Sequence, residues 1–88
     1  MKIVFKNSFL KELKKLKDEK LKNDIYENIV LVENAIEIKQ IKNFKKLKDF
    51  EDYYRLKIGN YRIGIKLINN ELNFVCFEHR KDIYKKFP

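Results

Sequence analysis

The stretch Tyr53-Tyr54-Arg55-Leu56-Lys57-Ile58-Gly59-Asn60-Tyr61-Arg62-Ile63-Gly64-Ile65-Lys66-Leu67-Ile68-Asn69-Asn70-Glu71-Leu72-Asn73-Phe74-Val75-Cys76 decides the fold. Its apolar residues recur at every second position, the period of a strand with one buried face. Gly59-Asn60 and Asn69-Asn70 are two-residue turn signals between these runs. With Gly59-Asn60 as a loop, Ile58 pairs with Tyr61, Leu56 with Ile63 and Tyr54 with Ile65. With Asn69-Asn70 as the next, Leu67 pairs with Leu72, Ile65 with Phe74 and Ile63 with Cys76. All of these residues are apolar or aromatic, and both turns place them on the same face. A slip of one residue would invert every side chain, so the agreement of two turns fixes a three-stranded antiparallel meander.

The same register fixes the other face. Tyr53, Arg55 and Lys57 leave the first of these strands together, with Lys57 opposite Arg62 and Lys66 opposite Tyr53. Phe77 is expected across from Arg62 and Val75 across from Gly64, and a mid-strand glycine would let a ligand backbone approach closely. Opposed like charges cost stability unless an anion fills the gap. Antiparallel sheets routinely show water a polar face, so any one of these lysines alone carries little information. Arginines interleaved with aromatics carry more, because guanidinium holds phosphate and rings stack on bases.

Upstream, Lys2–Lys6 reads as a short β-branched strand, and Asn7 or Ser8 as the cap of a helix carrying Phe9, Leu10, Leu13 and Leu16 at helical spacing. A second helix is expected from near Asn23 or Asp24, with Ile25, Ile29, Val32 and Ile36 along one stripe. The two form an antiparallel hairpin joined around residues 17–23. The lysines of 11–22 and 42–48, mixed with acids, read as a solvated helix face and a loop. The expected fold is α+β in the order β-α-α-β-β-β, a single domain over residues 1–88 with the helices on one side of the sheet.

Charge is the dominant compositional feature: 21 Lys plus Arg against 13 Asp plus Glu give +8, with only three arginines, Arg55, Arg62 and Arg80. Residues 53–88 hold all three, with 8 basic and 3 acidic groups; residues 1–52 hold 13 and 10. Such an excess suits an anionic partner. With 44% hydrophobic residues the chain can build a core, which argues against disorder. A single cysteine, Cys76, makes no internal disulfide, and no Cys/His spacing suits zinc. No glycine-rich phosphate loop, signal peptide or membrane-length apolar run is present. No metal or cofactor, no membrane association and a cytoplasmic location are therefore expected.

A second dense patch closes the chain, Glu78-His79-Arg80-Lys81-Asp82-Ile83-Tyr84. Histidine is the side chain whose ordinary pKa lies near neutrality, but a lone histidine is more often structural than catalytic. Arg80 with Tyr84 four residues later is the more specific grouping.

On Tyr54-Arg55-Leu56-Lys57-Ile58-Gly59-Asn60-Tyr61-Arg62-Ile63 and His79-Arg80-Lys81-Asp82-Ile83-Tyr84 the sequence resembles the RelE/ParE toxin superfamily of type II toxin–antitoxin systems, and within it the RelE-like mRNA interferases. The resemblance covers nearly the whole chain. It implies a RelE-like fold and a ribosome-dependent, metal-independent endoribonuclease that cuts mRNA in the A site by 2′-OH attack on the adjacent phosphate. It implies Arg62 and Arg80 as phosphate-holding arginines, Lys57, Tyr84 and His79 as the other catalytic candidates, and Arg55, Lys57, Lys66, Tyr53, Phe77 and Lys81 as RNA-binding residues. The sequence departs from the RelE prototype in having Arg55 where that has lysine, and Tyr84 closer to Arg80. Implied partners are the ribosome with its rRNA, mRNA, and a RelB-like antitoxin that blocks the active face, a heterotetramer being one form of that complex. The alternatives are a ParE-like gyrase inhibitor without nuclease activity, and a basic RNA-binding module that leaves RNA intact.

Overall fold

In the computed structural model, which describes all 88 residues, the two expected turns form. Gly59 takes φ +57° and opens the first, a conformation open to glycine without steric cost. Asn69 and Asn70 both take positive φ (49° and 66°), as a type I′ hairpin requires. They link β3 (Tyr53–Ile58), β4 (Tyr61–Ile68) and β5 (Glu71–His79). Before them come β1 (Ile3–Phe5), α1 (Asn7–Lys15), α2 (Glu19–Asn34), a 3₁₀ turn at Ile38–Gln40, and β2 (Phe44–Lys46); α3 (Ile83–Lys86) follows. The sheet has five strands in the order β1-β5-β4-β3-β2, with β1 parallel to β5 and the other pairs antiparallel.

The α+β class and the meander are as expected, with two additions. β2, in the lysine-rich stretch expected as loop, pairs with β3 as Phe44↔Leu56, Lys45↔Arg55 and Lys46↔Tyr54. Phe44 anchors it on the helix side, its ring 5.0 Å from that of Tyr54. α3 folds back onto the face expected to stay open.

The helix boundaries also shift. Lys6, not Asn7 or Ser8, is the N-cap of α1; the Ser8 hydroxyl instead donates to the Val75 carbonyl. α2 begins five residues before Asp24, capped by Asp18, whose carboxylate accepts from the Leu21 N–H at 3.1 Å. A cap of this kind stabilises a helix by about 1 kcal/mol. The helical connection is therefore only Leu16–Asp18. Ile36 lies beyond the C-cap Ala35 and is 84% exposed, so it does not extend the stripe of Ile25 and Val32.

The core lies between helices and sheet: Phe9, Ile25 and Val32 pack on Leu56, Ile58, Ile63, Ile65, Leu72, Phe74 and Phe77. Phe74 is central, with Phe5 and Phe9 both edge-on to it at 5.5 Å. Where β1 ends, the edge of β5 is covered by α1 side chains. Ser8 takes the Val75 carbonyl, and Glu12 Oε1 accepts from the Phe77 N–H at 3.1 Å.

One irregularity decides the rest. All β3–β4 pairings form as expected, and β4–β5 runs as expected through Ile65↔Phe74. There the register shifts, Gly64 pairing with Cys76 and Val75 left over as a β-bulge. Ile63 thus pairs with Phe77, not Cys76, and Arg62 with Glu78, not Phe77. Beyond the bulge every β5 side chain sits on the face opposite to expectation. Cys76 leaves the main core and joins a second cluster with Ile83 and Phe87 of the C-terminal segment, flanked by Leu47, Tyr53 and Val75. Gly64 makes that packing possible: a Cβ there would stand 2.7 Å from both Cys76 Sγ and the Phe87 ring. Its role is to admit Phe87, not a ligand. No helix is long and apolar enough to cross a membrane.

Candidate nucleic-acid interface

On the sheet face away from α1 and α2, two consecutive cross-strand rungs carry cations on both sides. Lys45 faces Arg55, and two residues further along β3, Lys57 faces Arg62. Opposed like charges destabilise a strand pair.

The C-terminal segment brings the remaining groups to these rungs. After β5 the Arg80 N–H donates to the Asn60 carbonyl and the Asp82 N–H to the His79 carbonyl, both at 2.8 Å. This clamps the 79–82 turn to the β3–β4 turn, so Arg80 and Lys81 share a cavity with Arg62. In α3, Ile83 faces inward and anchors the helix, leaving Tyr84 74% exposed with its ring 4.5 Å from the Arg55 guanidinium carbon. Arg55 Nη2 also donates to the Pro88 carbonyl at 3.3 Å, while its Nε is shielded from water and unpartnered. Arg62 Nη1 donates to the Gly59 and Tyr61 carbonyls, both at 2.9 Å, which fixes that guanidinium over its own turn.

Two contiguous cavities result, of about 460 and 480 Å³. Both are lined by Arg55, Arg62 and Tyr84; the first adds Lys45, Lys46, Lys48 and Lys57, the second Arg80 and Lys81. Neither has an acidic lining residue, and none of these eight cations belongs to an ion pair; all the ion pairs lie elsewhere. Setting the eight aside leaves 13 of the 21 basic residues, matched one for one by the 13 acidic ones. The site thus holds eight basic and no acidic side chains, an excess equal to the formal net charge of the chain.

Six of the residues singled out from sequence thus meet here: Arg55, Lys57, Arg62, Arg80, Lys81 and Tyr84. Four do not. Phe77 is only 5% exposed and stacks on Tyr61 within the core, so it cannot stack on a base. His79, inverted by the bulge, lies on the helix side of the sheet, edge-on to Tyr61 at 5.3 Å, its Nδ1 accepting from the Lys81 N–H. Lys66 sits over the Tyr53 ring at 4.9 Å, and Tyr53 packs against Phe87; both border the site beyond α3 without lining it. Conversely, Lys45, Lys46 and Lys48 were not expected here. The signal was faint: three lysines in the four residues that follow Phe44.

The site offers hydrogen-bond donors and positive charge. No three His, Cys, Asp or Glu side chains converge anywhere in the fold. Cys76 is buried, and burial pushes its thiol up to about 11, leaving it inert at neutral pH. Glu78, opposite Arg62 in register, pairs instead with Lys86 at 2.9 Å. Burial beside the Glu78 carboxyl pushes Glu12 up to about 7, while the hydrogen bond from Glu12, with Lys86, holds Glu78 below the usual carboxylate range.

Residues 3–84 match the family model for the ParE toxin of the type II toxin–antitoxin system, parDE. Toxin RelE3 of Methanocaldococcus jannaschii is 36% identical over 89 residues, covering all of both chains. Among solved structures, a chain of the RelB-RelE antitoxin–toxin complex from Methanococcus jannaschii superposes with a TM-score of 0.80 at 33% identity, over 97% of this chain and 99% of that one. The intact E. coli RelBE toxin–antitoxin complex shares the fold, with a TM-score of 0.69 at 22% identity over 89% and 94%. With a full-length relative, a matching fold and the family model over most of its length, this chain belongs to the RelE/ParE superfamily of type II toxin–antitoxin toxins, on its RelE-like side.

Proposed function

We propose that this toxin is a ribosome-dependent endoribonuclease that cleaves mRNA, and that its partner is a RelB-like antitoxin covering the cationic face. The observation that carries the reading is the concentration of eight cations that form no ion pair with Asp or Glu, in two cavities joined at Arg55, Arg62 and Tyr84 with no acidic side chain in their lining. Opposed cations are held there at a cost to the fold, and a phosphodiester relieves it.

The reaction draws its nucleophile from the RNA. The 2′-oxygen bonds to phosphorus, the bond from phosphorus to the 5′-oxygen breaks, and the proton lost from the 2′-hydroxyl is balanced by one gained at the 5′-oxygen. The products are a 2′,3′-cyclic phosphate and a 5′-hydroxyl. The protein supplies alignment and stabilisation of charge on the pentacoordinate transition state. Arg62, with Nη1 already committed to carbonyls, presents its remaining N–H groups in a fixed orientation, and Arg80 approaches from the clamped turn. Lys57 and Tyr84 are the proton-exchanging groups on this face; His79, behind the sheet, has no part in it.

Arg62→Ala and Arg80→Ala are each expected to lower cleavage on programmed ribosomes by about 10²–10³-fold, the usual cost of one preorganised transition-state donor. Arg80→Ala should keep the wild-type melting temperature, and Arg62→Ala, which removes both one cation of the Lys57 rung and two hydrogen bonds to the turn, should stay folded at the assay temperature. Undiminished cleavage by either sinks the assignment. The match to a ParE family model makes gyrase inhibition the competing reading: inhibited supercoiling with intact message would decide for it.

A further inference from the structure

Resting on the ribonuclease reading, we propose that β2 builds a second anion subsite, which seats the RNA phosphate next to the scissile one, with Lys45 as its anchor. Arg55 and Lys57 project from the same face of β3 two residues apart, a separation of roughly 6.6 Å along a strand. That is comparable to the spacing of neighbouring phosphates in a single RNA strand. Each of the two residues faces a second cation across the ladder, Lys45 for Arg55 and Arg62 for Lys57. Cross-strand neighbours on one face stand about 4.5–5.5 Å apart at Cβ, close enough for two flexible cations to converge on one phosphate. The Lys57–Arg62 rung adjoins Arg80 and takes the scissile phosphate. The Lys45–Arg55 rung, with Lys46 and Lys48 at its rim, takes the neighbour. Tyr84 lies over Arg55 and lines both cavities, on the path between the two phosphates.

Edge-strand lysines also serve to discourage pairing with other sheets. That role is satisfied by any charge or strong polarity at position 45 and makes no demand on substrate length. A second subsite does make one.

The test uses 2′-O-methyl RNA oligonucleotides, which bind but cannot be cut, with purified wild-type toxin. A trinucleotide carrying two phosphodiesters should bind about tenfold or more tighter than a dinucleotide carrying one, with a steeper salt dependence by about one counterion. Lys45→Gln should bind both oligonucleotides alike, and Lys45→Arg should restore the difference. Equal binding of the two by wild type, or discrimination retained in Lys45→Gln, overturns the proposal. Sedimentation with vacant ribosomes separates the source of the phosphate. If Lys45→Gln weakens only that association, the subsite serves ribosomal RNA and the proposal falls. Cleavage of programmed message by the wild type is scored in parallel. Wild-type cleavage with no oligonucleotide discrimination removes the subsite and leaves the ribonuclease reading. Discrimination without cleavage does the reverse.

Discussion

The two faces of this one sheet are held together by opposite means. Against α1 and α2 the sheet is apolar, with Phe74 closed in by Phe5 and Phe9 and no cation between the layers. On the other face Lys45 opposes Arg55 and Lys57 opposes Arg62, and the apolar packing is confined to a small patch, Cys76 with Ile83 and Phe87, under α3. The helix-covered face supplies the stability that the cationic face spends. A fold of 88 residues has little stability in reserve, so such a division is costly. It becomes intelligible once an anion belongs in the site.

The sharpest way to break the comparison is to exchange the effects of substitutions on the two faces. Phe74→Ala should cost about 3–5 kcal/mol in denaturant unfolding, with cleavage per folded molecule unchanged at a temperature where the variant still folds. Loss of cleavage without loss of stability there would contradict the partition.

Next in size is Gly64→Ala, which touches the join between the faces. Its Cβ would collide with Cys76 Sγ and the Phe87 ring, so α3 must shift and carry Tyr84 off Arg55. A loss of about 1–3 kcal/mol is expected together with a fall in cleavage. Proton NMR should show the Tyr84 ring losing its contact with Arg55; an unmoved ring would rule out this coupling.

Lys57→Gln should act in the opposite sense on stability. Removing one of two facing cations should raise stability in low salt, and by less as salt screens the pair, while lowering cleavage. A destabilised variant would mean that the rung is not under repulsion.

The last prediction concerns the carboxyl pair at the edge of β5. Glu12, raised to about 7 when folded against an ordinary carboxyl value near 4.5, binds its proton more tightly folded than unfolded. Its contribution is fully present below about pH 4.5 and is lost as pH rises towards 7. Glu78, lowered by the same hydrogen bond, acts the other way at the acid end. Glu12→Gln mimics the protonated group, able to accept from the Phe77 N–H and donate to Glu78. Its melting temperature should vary less than wild type's between pH 5 and 7.5. An identical pH profile would exclude a shared proton.

The part of this division legible in the sequence was the part fixed by turns. Gly59-Asn60 sits between two strictly alternating runs, and the β3–β4 register follows from it without exception. The bulge was not legible, because Val75-Cys76-Phe77 is apolar throughout and satisfies either register. Only the mid-strand Gly64 hinted that something bulky lies across that point, and it reads equally well as room for a ligand. That single extra residue moved Phe77 and His79 out of the site and Cys76 out of the core. β2 and α3 are three and four residues long, too short for periodicity, and both are defined by what they pack against. Arg62 could therefore be placed on its face by the β3–β4 register, whereas Arg80 and Tyr84 were singled out by the terminal motif and its resemblance, and Lys45, in β2, was not singled out at all.

The account's central claim is that the cationic face supplies charge while the RNA supplies the nucleophile. It is tested most directly by end-group analysis of a message cut on programmed ribosomes, beside the same message with one 2′-deoxynucleotide immediately 5′ of the cleavage point. The expected result is a 2′,3′-cyclic phosphate and a 5′-hydroxyl from the ribose message and no cut at the deoxy position. Cleavage at the deoxy position, or no cleavage of either message by the wild-type toxin, would contradict it.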